Sequence, residues 1–275
     1  MKIFVRSGAA ELCAEDSQTT GPVIVCLHAG VCDRRMWAPQ IEAFSATHRV
    51  IAYDRRGFGE TRYEPESFSH VSDLVNLLDA LQIERAVLMG GSQGGRIAID
   101  AALASPERVS ALVLVACAVT GAPEHEGGYS PRVEARVAAL EAAEARGDLA
   151  AVNELEAQFW LDGPEQATGR VGGALRELFL DMNGIALAAP SPGEAIVSPS
   201  AWERLEAIRA PTLVVWGQLD FDDLCARMRE VTQRIAGATP FVIDGVAHLP
   251  GLERPAEFNG AVAPFLSSVA TPPTA

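Results

Sequence analysis

Between a short apolar run and a helix-periodic one, the chain reads Gly90-Gly91-Ser92-Gln93-Gly94-Gly95. A serine at such a junction, with glycine two positions away on each side, matches the pattern G-x-S-x-G of a nucleophilic serine. The glycines have a steric reason. The turn must lift the hydroxyl above a sheet, and a β-carbon at either flank would collide with neighbouring backbone. The helix that follows aims its amide-rich N-terminus at the same spot, which favours developing negative charge. The alternative is a glycine-rich turn with an incidental serine. A dinucleotide fingerprint is excluded, because G-x-G-x-x-G needs glycine where Ser92 stands.

A serine hydroxyl needs a base within hydrogen-bond reach. Of five histidines, His248 lies in a loop beyond the last apolar run, Asp244-Gly245-Val246-Ala247-His248-Leu249, where open α/β sheets place their sites. It is the chosen base. His28, at the end of the run Val23–Leu27, is the fallback. His48, His70 and His125 read as surface residues. An imidazole base in turn needs a carboxylate to fix its tautomer and stabilise its cation. Asp220 is the first acid past the run Thr212–Trp216, with Asp222 and Asp223 as rivals that would otherwise cap the following helix. The order Ser92, Asp220, His248 differs from that of the chymotrypsin and subtilisin triads. For an oxyanion, the backbone N–H of Gln93 supplies one donor. The loop His28-Ala29-Gly30-Val31 supplies the other, assigned to Gly30 with Val31 as its neighbour.

These residues require a scaffold that brings them together. Short β-branched apolar runs recur at Val23–Leu27, Val50–Tyr53, Ala86–Met89, Ala111–Val115, Thr212–Trp216 and Phe241–Ile243, as expected of strands buried on both faces. Helix-periodic stretches lie between them: Val71, Leu74, Val75, Leu77, Leu78 and Leu81 share one helical face. Strands alternating with helices imply parallel βαβ crossovers, so the fold class is α/β. The alternation breaks once. From about 121 to 200 the chain reads as helices (Pro131 to Ala145, Leu149 to Leu161, Val171 to Met182) and then a loose Pro/Ser/Gly stretch. Residues 1–120 and 201–275 are therefore expected to form the core, and 121–200 a helical insertion too long for one crossover. The tail from Thr271 is expected to fray.

Composition narrows the chemistry further. The 275 residues carry 36 acidic and 22 basic side chains, a formal charge of −14, which argues against a nucleic-acid partner. Lys2 is the only lysine, and it is followed by Ile3. A P-loop, Schiff-base or pyridoxal-phosphate mechanism and a serine–lysine acyl enzyme therefore lack their amine. Cys13, Cys26, Cys32, Cys117 and Cys225 form no C-x-x-C pair, which suits buried, reduced thiols in the cytoplasm. No apolar run approaches the ~20 residues of a membrane span, and no signal-peptide pattern opens the chain. No histidine pair or Cys/His cluster has metal-ligand spacing, so neither metal nor cofactor is expected.

The chain resembles the α/β-hydrolase superfamily in its lid-bearing, esterase- and lactonase-like branch. The likeness rests on His28-Ala29-Gly30 through Met36-Trp37, the turn Asp54-Arg55-Arg56-Gly57-Phe58-Gly59, the elbow Gly90–Gly95, Gly217-Gln218-Leu219-Asp220, and Ala247-His248. They occur in family order over nearly the whole chain. The resemblance implies a mostly parallel sheet flanked by helices, with a helical lid after the sixth strand. It also implies Ser92 as nucleophile, Asp220 as acid, His248 as base, and Gly30 and Gln93 as oxyanion donors. The substrates implied are a small acyl compound and water. Ala29 stands where a second glycine after the histidine is usual, and Gln93 where Met is frequent. Asp54, Arg55 and Arg56 resemble a structural turn, and the expectation for them is a structural ion pair rather than a substrate clamp. Phe159, Trp160 and Phe179 from the lid, with Trp37 and Phe221 from the core, are aromatic candidates for the substrate pocket. The same fold and triad also resemble carbon–carbon bond hydrolases, cofactor-free haloperoxidases and slow, triad-retaining small-molecule receptors.

Overall fold

Alternate residues of the apolar runs point to opposite faces of one nine-stranded sheet, which is why each run reads as continuously hydrophobic. The computed structural model describes residues 1–124 and 127–270; His125 and the tail from Thr271 lie outside them. In chain order the strands are β1 (Lys2–Ser7), β2 (Ala10–Asp16), β3 (Val23–Leu27), β4 (Arg49–Tyr53), β5 (Arg62–Tyr63), β6 (Ala86–Gly91), β7 (Val109–Val115), β8 (Thr212–Gly217) and β9 (Thr239–Ile243). Their order across the sheet is β1-β2-β4-β3-β6-β7-β8-β9, with β5 pairing β2 off this path. Everything from β4 to β9 along that order is parallel. The contacts β1–β2, β2–β4 and β2–β5 are antiparallel.

The helices are α1 (Ala38–Phe44), α2 (His70–Ala80), α3 (Gln93–Ala104), α4 (Pro131–Ala145), α5 (Leu149–Ala157), α6 (Gly173–Ala188), α7 (Asp222–Arg234), α8 (Pro250–Glu253) and α9 (Pro255–Ala270). On one face Val25, Leu27, Leu88, Leu112, Leu114 and Val214 pack against α2, α3 and α7 through Leu74, Ile97 and Met228. On the other, Ile24, Cys26, Met89, Val113 and Val215 meet α1 and α9 through Phe44, Phe258 and Val262. Burying such residues is worth about 1.5–3 kcal/mol for each large side chain.

The N-terminal hairpin β1–β2 has no counterpart in the sequence reading. Half of β1 is exposed, and the exposed Glu11 and Glu15 interrupt the buried residues of β2, so no continuous apolar run marks the hairpin. Helix α4 starts at Pro131 behind a Ser130 cap whose side chain accepts from Val133 N–H. Between β7 and β8 the described residues contain helices and no strand. This helical segment follows the seventh strand in chain order. The expected sixth place is recovered only when the two-residue β5 is left uncounted. Its return stretch is tied down by an isolated Phe68–Ala195 bridge and by Ile196 N–H on the Phe68 carbonyl at 2.7 Å. All five cysteines are free and buried. Among the described residues no helix is long and apolar enough to cross a membrane.

Candidate active site

Ser92 sits where β6 ends and α3 begins, at φ 50°, ψ −116°. That is a region L-residues rarely occupy and that costs of order 1–3 kcal/mol. Hydrogen bonds hold it there: Ser92 N–H donates to Val115 at 2.8 Å, while its carbonyl accepts from Arg96 and Ala118, each at 3.1 Å. The steric argument for the glycines holds at both flanks. A β-carbon on Gly90 would lie 2.5 Å from the Gly94 carbonyl oxygen, and one on Gly94 would lie 2.1 Å from that of Leu27.

Three strand ends then converge. β6, β7, β8 and β9 are consecutive and parallel, with Gly91 beside Val115, Val115 beside Val215, and Gly217 beside Ile243. Ser92, Asp220 and His248 thus all leave the same carboxyl edge of the sheet. The loops carrying the last two interlock: Leu219 N–H donates to Val246 at 2.8 Å. Gly217 packs so closely that a β-carbon there would lie 2.1 Å from the Ala247 oxygen. His248 Nδ1 and Asp220 Oδ2 are 2.7 Å apart, both side chains being buried. The carboxylate accepts, which assigns the proton to Nδ1 and leaves Nε2 as the lone-pair nitrogen. Asp220 Oδ1 accepts from Phe221 N–H at 2.9 Å. The rivals go elsewhere. Asp222 and Asp223 occupy the first turn of α7, and Asp223 faces Arg227 at 3.7 Å.

His28 has no free nitrogen to act as a base. Its Nδ1 lies 2.7 Å from the Ala29 carbonyl, and Nε2 accepts from Arg55 N–H at 3.0 Å. Burial, reinforced by the Arg55 charge, pushes its pKa well below the ordinary imidazole value. Two other histidines differ from their surface assignment. His48 is buried, with Nδ1 2.8 Å from Thr47 Oγ1, and its pKa is lowered by that burial. His70 is half-buried edge-on to Phe68 with Nδ1 unpartnered, and burial among Arg55, Arg96 and Arg56 takes its pKa to about 3.

Of the candidate oxyanion donors, Gln93 is the first residue of α3, where helical N–H groups lack intrahelical partners. Gly30 is half-buried in the loop after β3. The two residues touch: a β-carbon on Gly30 would lie 2.7 Å from Gln93 Nε2. Asp54 and Arg56 of the neighbouring turn are ion-paired. Asp54 binds the Arg34 side chain, and Arg56 binds Glu66 at 2.5 Å and Asp73 at 2.9 Å. Arg55 between them joins no ion pair among the described residues. Its side chain points to Gln93 Oε1 at 3.1 Å. Adjacency in sequence gave no sign of this difference.

The aromatic candidates divide. Trp160 lies 4.6 Å from the His248 ring and 5.4 Å from Phe221, and Phe159 stacks on Phe221 at 5.7 Å. Phe159 and Trp160 belong to a π-helical turn, Gln158–Asp162, that continues α5. Tyr129, unmarked in the sequence, adds its edge to Phe221 at 5.6 Å. Trp37 and Phe179 instead are wholly buried core residues, Trp37 against Phe258. Among the described residues no group of three or more His, Cys, Asp or Glu side chains could hold a metal ion.

Comparison with known proteins shows what the chain resembles. The sequence pattern defining the Alpha/beta hydrolase family matches residues 24–261. The chain is 28% identical over 286 residues to a Bacillus subtilis (strain 168) protein provisionally named a 2-succinyl-6-hydroxy-2,4-cyclohexadiene-1-carboxylate synthase, covering 98% of this chain and 99% of the other. It is 26% identical over 252 residues to 3-oxoadipate enol-lactonase 1 of Acinetobacter baylyi (strain ATCC 33305 / BD413 / ADP1), covering 90% of each. Among solved structures, a thermophilic esterase from Thermogutta terrifontis superposes with a TM-score of 0.74 at 29% identity, over 98% of this chain and 100% of that one.

Proposed function

This chain belongs to the alpha/beta hydrolase family, and from that premise we propose that it cleaves a small carboxylic ester or lactone through an acyl-enzyme on Ser92. His248 Nε2 takes the Ser92 proton as Oγ attacks the carbonyl carbon. The imidazolium forms against Asp220, and the oxyanion is held by the N–H groups of Gln93 and Gly30. Collapse expels the alcohol, which leaves with the proton from His248. Water then repeats the sequence on the acyl-enzyme and releases the acid. Residues 121–200 act as a lid. Through Trp160 and Phe159 they form an apolar wall over His248 and exclude bulk water from the reacting carbonyl.

The observation that carries this reading is the 2.7 Å His248–Asp220 contact at the same sheet edge as the strained Ser92. An esterase and an enol-lactonase among the similar proteins support the choice of bond. A fluorophosphonate should label Ser92, and a short p-nitrophenyl ester should turn over many times, with both lost in Ser92→Ala. A labelled residue other than Ser92 overturns the nucleophile. A single burst that then stalls would point to a receptor. Cleavage of a vinylogous diketone with no action on esters or lactones would point to carbon–carbon bond hydrolysis.

A further inference from the structure

Arg55 is a buried cation, 1% exposed, and among the described residues no carboxylate pairs with it. Isolated buried charge is expensive, so its retention calls for a compensating role. Its guanidinium lies 4.5 Å over the Phe58 ring. Nη1 donates to Gln93 Oε1 at 3.1 Å, and Nη2 donates to the Ala29 carbonyl at 3.2 Å and the His28 carbonyl at 3.4 Å. The Ala29 oxygen also receives His28 Nδ1–H at 2.7 Å and Cys32 N–H at 3.3 Å.

That oxygen shares its peptide unit with the Gly30 N–H. In a planar trans peptide the two point in opposite directions. Donors gathered on the oxygen therefore set the direction of the N–H, and by drawing density from the amide they make it a stronger donor. The same guanidinium reaches the residue that carries the second N–H, clamping the Gln93 side chain, which packs over Gly30. Resting on the reading of Gly30 and Gln93 as oxyanion donors, we infer that Arg55 is a positioning residue. It aligns both donors and places an unpaired positive charge behind them, so that it stabilises the oxyanion more than the bound ester.

The test compares wild type, Arg55→Met and Arg55→Lys, each normalised to sites titrated with fluorophosphonate, on p-nitrophenyl acetate and with phenylboronic acid as a tetrahedral mimic. Removing one oxyanion donor typically costs 10²–10³ in kcat. Arg55→Met should accordingly lower kcat about 10²-fold, with KM changed less than about threefold, and weaken phenylboronic acid by a similar factor. Arg55→Lys keeps the charge without the fork and should lose about tenfold in both. A merely structural role would reduce the number of titratable sites and leave kcat per site and boronate affinity unchanged; that result overturns the inference. Where Arg55→Met does not fold, the same two readouts on Arg55→Lys decide. Turnover that survives in Ser92→Ala would instead sink the acyl-enzyme reading, independently of Arg55.

Discussion

At the scale of single residues, the site turns on which of several similar side chains makes one contact. Three aspartates follow β8 within four positions, yet only Asp220 reaches His248. Asparagine at that position would accept through its oxygen but carries no charge to stabilise the imidazolium. Asp220→Asn should then lower kcat by about 10⁴-fold, the scale seen when a triad acid loses its charge. Asp222→Asn, at the exposed start of α7, should stay within about threefold. Equal losses in the two variants, measured as kcat on a short ester, would remove Asp220 from the mechanism.

At the scale of elements, the β6–α3 turn works because α3 lies directly against the end of β3. Gly94 occupies that contact, and a methyl there would meet the Leu27 oxygen at 2.1 Å and the His28 oxygen at 2.7 Å. Neither backbone can yield without moving the loop that carries Gly30. Gly94→Ala should therefore destabilise by about 3 kcal/mol, the upper range for overpacking. Gly260→Ala provides the contrast. It lies on α9 with nothing within 4 Å of its added carbon, so the entropic gain of alanine in a helix should stabilise by about 0.5–1 kcal/mol. Urea midpoints measure both; matching shifts would refute the steric account of the elbow. The helical segment is also tied to the site. Arg170 donates to Glu253 and, at 3.1 Å, to the Gly245 carbonyl, while Glu253 accepts from Ala247 N–H at 3.2 Å. One ion pair thereby joins that segment to the loop of His248.

At the scale of the whole molecule, pH dependence follows from histidines held neutral inside the fold. The pKa values of His28, His48 and His70 are all lowered by burial, that of His70 to about 3. The unfolded chain takes up protons at these sites near the ordinary value of 6.5, the folded chain only at lower pH. Below about 6.5 the unfolded state thus binds more protons, and stability falls as pH falls; above it the three sites contribute no slope. For His70 the window runs from about 6.5 down to about 3. Urea midpoints between pH 7.5 and 4.5 should decline. In His70→Asn the decline should be shallower by about one proton's worth of slope. An identical slope in the two proteins would rule out His70 as a contributor.

What was legible from residue types alone is what depends on near neighbours in the chain. Buried parallel strands need unbroken apolar runs, so β3, β4, β6, β7 and β8 stand out, and the turn at Ser92 needs glycine at fixed offsets whatever surrounds it. The hairpin β1–β2 leaves no such mark, because half of β1 faces water and the exposed Glu11 and Glu15 break the buried run of β2. Which of several chemically equivalent groups meets which partner depends on contacts distant in sequence. His28 is disqualified as a base by Arg55, 27 residues away. Asp220 is selected by His248, 28 residues away. Arg55 and Arg56 differ because only Arg56 finds an aspartate. A hydrogen bond is set by distances and angles between atoms, and where the chain brings two far segments together, those are properties of the packed molecule alone.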